Sequence, residues 1–153
     1  MDRALQTDIA SRLLGHLAAG TTDMATAEMY HPARTYTDRE HASHEREALF
    51  KSLPIAACLS TELPKPNDFV TVDLVGVPAL IVRQEDGALK AFANVCRHRG
   101  SKVETAERGN RRLFVCPFHA WSYDGEGSLR NMPFAQGFCG MDRKDRGLNT
   151  LPV

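Results

Sequence analysis

The chain has 153 residues, 19 Lys/Arg against 19 Asp/Glu, 42% hydrophobic and 25% charged residues. That balance is ordinary for a globular domain and excludes disorder, collagen and coiled coil; no apolar run approaches the roughly 18 residues of a transmembrane helix. The length is enough to bury roughly two-thirds of the unfolded surface, so neither metal nor disulfide is required merely to fold.

The first residues carry Leu5, Ile9, Leu13, Leu14 and Leu17 at helical spacing, and Gly20 ends that pattern. Asp2, Asp8 and Arg12 interrupt the segment, which lacks the compact apolar core of a signal peptide. The expectation is a cytoplasmic protein with reduced thiols. Thr37-Asp38-Arg39-Glu40 reads as a capping box, predicting a helix from about Asp38 to Lys51 that Pro54 ends. Beyond it the hydrophobic period becomes two. Ile55–Leu59, Phe69–Val75, Val77–Arg83 and Leu89–Ala93 read as strands of a meander. Arg111–Val115, Trp121–Tyr123 and Leu129–Met132 are further strand candidates, with Asp124-Gly125-Glu126-Gly127 as a turn. The fold expected is mainly β: an antiparallel sheet domain over 53–153, preceded by a helical segment over 1–52 with two short helices. The apolar ending at Leu151 and Val153 reads as a strand cut short, so a fragment of a longer protein is expected.

Charge is graded along the chain. Residues 1–50 hold five Lys/Arg against eight Asp/Glu, and residues 94–153 hold ten against six. The basic third is too weakly charged and too poor in interleaved aromatics for a nucleic-acid footprint. A solvated face is the plain reading; a docking patch for an acidic protein is the other.

The chemistry lies in Cys96-Arg97-His98 and Cys116-Pro117-Phe118-His119, a C-x-H and a C-x-x-H separated by 17 residues. Each follows a predicted strand, so two loops at one sheet end can offer two thiolates and two imidazoles. Such donors exclude Mg²⁺ and Ca²⁺. A tetrahedral zinc can use all four on one ion. A Rieske-type [2Fe–2S] cluster uses two Cys on one iron and two His on the other. Common zinc sites keep like ligands together in short pairs, whereas each pair here is mixed, one ligand for each iron. Gly100 is read as relieving crowding near the metal, and Pro117 as stiffening the second loop. Cys58 and Cys139 are read as inert thiols, His41 and His44 as an exposed polar face, and Trp121 as a core aromatic at the base of the loop, a place compatible with packing over the cluster and limiting water.

Cys96-Arg97-His98-Arg99-Gly100 with Cys116-Pro117-Phe118-His119-Ala120-Trp121 resembles the Rieske domain of the alpha (large) subunit of ring-hydroxylating, non-haem iron oxygenases. The resemblance extends from about Tyr36 to the end, through Glu62-Leu63-Pro64-Lys65-Pro66-Asn67-Asp68-Phe69, Ala93-Asn94-Val95 and Tyr123-Asp124. It implies a Rieske [2Fe–2S] cluster held by Cys96, His98, Cys116 and His119. It implies electron delivery from a ferredoxin or flavin reductase to a mononuclear Fe(II), and a homotrimer in the full-length protein. Cytochrome bc Rieske proteins carry two further Cys, matched here by Ser101 and Phe118, and a Ser matched by Trp121. Fewer hydrogen bonds to sulfur place the expected potential near the low end of about −150 to +300 mV. No His follows His119, so the family's 2-His-1-carboxylate triad is expected outside these residues, and no catalytic residue is assigned. A freestanding Rieske ferredoxin is the alternative. The N-terminal helical segment speaks against it. Substrate, and the choice among dioxygenation, monooxygenation and demethylation, are not encoded here.

Overall fold

The computed structural model describes residues 2–153. Contacts divide the chain into two compact units, one ending at Ala42 and one spanning Ser43–Val153.

In the first unit, helix α1 spans Arg3–Ala19. Asp2 caps it by accepting from the Ala4 amide, and Gly20 closes it in the left-handed region at φ 63°. The apolar stripe read from the sequence is present, but all of it is solvent-exposed, from Ile9 at 39% to Leu17 at 78%. Beyond the helix, Asp23 gathers Arg12 and the His16 ring.

Helix α2 covers Arg39–Glu45 and loosens into a π-helical turn over Arg46–Phe50. Its cap is Asp38 and not Thr37: Asp38 Oδ1 accepts from the Glu40 and His41 amides. The Thr37 hydroxyl instead donates backwards to the Arg34 carbonyl. Aspartate wins because its carboxylate also favours the positive end of the helix.

The second unit holds two antiparallel sheets. The first has five strands in the order β4-β1-β2-β3-β8. Here β1 is Asp68–Leu74, β2 is Val77–Arg83, β3 is Leu89–Ala93, β4 is Arg108–Asn110 and β8 is Thr150–Leu151. The second contains β5 (Leu113–Val115), β6 (Ser122–Asp124) and β7 (Leu129–Asn131) in that order. The meander β1-β2-β3 is as expected. Ile55–Leu59, however, forms no strand. Both edges of the meander are already taken: β4 pairs with β1, and β8 with β3. The run packs instead against a face of the sheet, where Ala57 and Cys58 join Leu63, Val70, Ile81 and Ala91. Arg83 ties down the residues that follow this run by donating to the carbonyls of Ser60 and Leu63.

Alternation along the strands makes two cores. Phe69, Leu80, Val82 and Phe92 face the second sheet, meeting Phe114, Trp121, Tyr123 and Leu129. Val70, Ile81 and Ala91 face the other way, against Leu63 and Leu151. Phe69 and Phe114 meet edge to face at 5.3 Å between ring centroids. Cys96 and Cys116 belong to the first core, 3% and 2% exposed. The junction between the two sheets is therefore where the candidate ligands sit.

Candidate metal centre

Two loops leave the sheets and fold alike. In the first, the Cys96 amide donates to the Ser101 carbonyl at 2.8 Å, and the Gly100 amide donates to the Cys96 carbonyl at 2.9 Å. In the second, the Cys116 amide donates to the Trp121 carbonyl at 2.8 Å, and the Ala120 amide to the Cys116 carbonyl at 3.0 Å. Both turns place their fifth residue in the left-handed region, Gly100 at φ 78° and Ala120 at φ 55°. The conformation of the turn by itself favours glycine at position 100. A Cβ at that position would meet nothing within 4 Å; the turn requires the positive φ. The second turn is closed by an alanine, which leaves no sequence signal of the same conformation.

The two loops bring like donors together. Cys96 and Cys116 are buried side by side, and burial first, then Cys116, pushes the Cys96 thiol up. The Tyr123 hydroxyl and the His98 amide oppose that rise. Tyr123 Oη lies 3.4 Å from Cys96 Sγ and accepts the Arg97 amide at 3.0 Å. With its oxygen occupied by that amide, the phenol is free to donate to sulfur, as it must when the sulfur is a thiolate. Tyr123 is wholly buried, and burial, then Cys96, pushes its own pKa up; the phenol stays protonated.

The imidazoles pair at the rim. His98 and His119 have ring centroids 4.6 Å apart at 71°. Burial lowers the His98 pKa, with His119 and Arg99 adding to the effect, so the ring is held neutral and available as a donor. His98 lies flat against Trp121, centroids 4.9 Å apart and planes 8° apart, with Phe138 edge-on to both rings. His119 packs against Phe118, which is 59% exposed. A cavity of about 550 Å³ opens over this rim, lined by Arg99, Phe118, His119, Trp121, Phe134 and others.

The four candidate donors named from the sequence come together here, with Trp121 against His98. Sequence reasoning missed Tyr123 as a partner of sulfur, because nothing in a spacing of 27 residues announces that contact. It also missed Phe138, which lies in a loop after β7. Among the described residues, no three His, Cys, Asp or Glu side chains converge on a single ion position. Thiol meets thiol and imidazole meets imidazole. That donor distribution fits a two-iron cluster, sulfur on one iron and nitrogen on the other, better than one tetrahedral zinc.

The family model described as Rieske [2Fe-2S] domain matches residues 54–151. The chain belongs to the Rieske [2Fe–2S] domain family. Relatives of this Rieske domain agree. It is 38% identical over 113 residues to the chlorobenzene dioxygenase subunit alpha of Cupriavidus sp. (strain PS12), covering 73% of this chain and 25% of that protein. It is 36% identical over 111 residues to the carnitine monooxygenase oxygenase subunit of Escherichia coli (strain K12), covering 72% and 30%. A crystal structure of naphthalene 1,2-dioxygenase from Rhodococcus sp. bound to indole superposes with a TM-score of 0.74 at 27% identity, covering 99% of this chain and 33% of that one. The Rieske domain thus spans about a quarter of the length of the curated relatives it matches. Among the described residues no helix is long and apolar enough to cross a membrane.

Proposed function

We propose that Cys96 and Cys116 ligate one iron of the [2Fe–2S] cluster and His98 and His119 the other. The observation that carries this is the pairing of donors by two matching loops: thiols together in the core, imidazoles together at the rim. When bound, such a cluster stores and releases one electron. The chain's own residues do the rest. Burial of both thiols excludes water from the sulfur side. Tyr123 Oη donates to Cys96 Sγ and steadies its negative charge. His98 and His119, half-buried beneath an open cavity, give the electron a short way out.

The domain serves as the electron-transfer module of a ring-hydroxylating oxygenase alpha subunit in the cytoplasm. It takes electrons from a ferredoxin or flavin reductase and passes them to a mononuclear Fe(II) held by residues outside this chain, within a homotrimer. The relatives whose names give a dioxygenase or monooxygenase alpha or oxygenase subunit support that reading.

The test is anaerobic reconstitution with iron and sulfide, followed by metal and sulfide analysis and EPR after dithionite reduction. Two irons, two sulfides and a low-g signal per chain are expected, all lost in Cys116→Ala. A colourless protein holding one zinc per chain overturns the proposal.

A further inference from the structure

The two imidazoles differ in what holds them. His98 is packed on three sides: Trp121 flat against it, Phe138 edge-on at 5.7 Å and 81°, His119 across the pair. Trp121 is itself 2% exposed and braced edge-on by Phe138 at 5.4 Å. Among the described residues, the aromatic rings against His119 are His98 and the half-exposed Phe118. Trp121 also joins the two loops. Its carbonyl accepts the Cys116 amide of the second loop, while its indole supports His98 of the first.

We propose that Trp121, braced by Phe138, is a positioning residue that fixes the His98 ring and leaves His119 as the adjustable imidazole. This rests on the ligand assignment above. A ring stacked within 8° of a buried indole cannot turn about its Cβ–Cγ bond without displacing that indole, and interiors packed at crystal density resist such displacement. Outer contacts of this kind orient a ligand and set how it meets its metal. Phe118, 59% exposed and tilted at 41° to His119, is not enclosed as Trp121 is and restrains its neighbour less.

The readout is the pair of imidazole-nitrogen hyperfine couplings, measured by pulsed EPR on the reconstituted, reduced chain. Trp121→Leu and Phe138→Leu broaden the same one of the two couplings; Phe118→Leu leaves that one sharp; Trp121→Phe, which retains a stacking ring, restores it. Should both couplings broaden together, Trp121 is only a general packing residue and the inference is overturned. Should neither move, it is overturned as well. If Trp121→Leu fails to take up the cluster, Phe138→Leu decides by the same criterion, since Phe138 is less deeply buried. A wild-type chain that gives no low-g signal removes the ligand assignment and this inference together; a normal wild-type signal with the wrong pattern removes this inference alone.

Discussion

The Tyr123 hydroxyl stands between the Arg97 amide and the Cys96 sulfur, 3.0 Å from one and 3.4 Å from the other. It links the second sheet, through β6, to the first cluster loop. Hydrogen bonds to a thiolate stabilise the more negative, reduced form and so raise the potential. Tyr123→Phe keeps the ring, which is wholly buried in the core, and removes only the hydroxyl. A net hydrogen bond of about 0.5–1.5 kcal/mol corresponds to roughly 20–60 mV for a one-electron couple. The midpoint of the variant should fall by that amount in protein-film voltammetry, with loading unchanged. A midpoint equal to wild type means that the phenol does not donate to sulfur.

Gly127 closes the turn between β6 and β7 at φ 77°, and a Cβ there would lie 2.5 Å from Phe92 Cε1. Phe92 is 1% exposed and packed in the core that the two sheets share, so it cannot yield. Strain in the left-handed region and overpacking act together. Gly127→Ala should destabilise the domain by roughly 2–4 kcal/mol. Urea unfolding of variant and wild type measures it; a loss under 1 kcal/mol would show that the turn can swing away from Phe92.

Legibility followed the kind of physics involved. Cys96, His98, Cys116 and His119 stand out as candidate ligands because ligand type and spacing are local properties of the chain. The strands β1, β2 and β3 were readable from period two. By contrast β4, Arg108–Asn110, is polar and exposed throughout, and exists only because β1 offers it an edge. Ile55–Leu59 has strand composition but packs through Ala57 and Cys58 against the face of the sheet instead of pairing with it. Gly100 announces its turn; Ala120 makes the same turn without announcing it. The Tyr123–Cys96 contact and the Trp121–Phe138 brace are tertiary, and arise only when two sheets meet. The leucine stripe of α1 gave the helix correctly, yet periodicity alone did not tell that the stripe would be exposed.

Val75 is the least comfortable residue in the backbone. It sits at φ 56° in the Val75-Gly76 turn that joins β1 to β2, followed by Gly76 at φ 87°. Two consecutive positive φ values define the tight hairpin turn for which Asn-Gly is preferred. A β-branched side chain is strongly disfavoured there. Val75→Asn should therefore stabilise the domain by about 1 kcal/mol. A rise of several degrees in the thermal midpoint is expected at this size. A fall would mean that the half-buried Val75 side chain contributes more by packing than its backbone loses by strain.

Acid should loosen the edge of the first sheet. Asp68 Oδ1 accepts from Asn110 Nδ2 at 2.8 Å, and Oδ2 from the Lys65 amide at 2.7 Å. The first of these, then the second, holds its carboxyl below the usual carboxylate range. Asn110 Nδ2 also donates to the Pro66 carbonyl, so the bond ties β4 and the start of β1 to the loop before them. A carboxyl whose pKa is lower folded than unfolded stabilises the fold above the unfolded value of about 3.9. That contribution disappears as pH falls through the lower, folded value. Wild-type stability should therefore decline below about pH 4 more steeply than that of Asp68→Asn, which has no proton to take up. Urea midpoints at several pH values between 5 and 2 compare the two slopes. Equal slopes would show that the Asn110 bond does not bias the ionisation of Asp68.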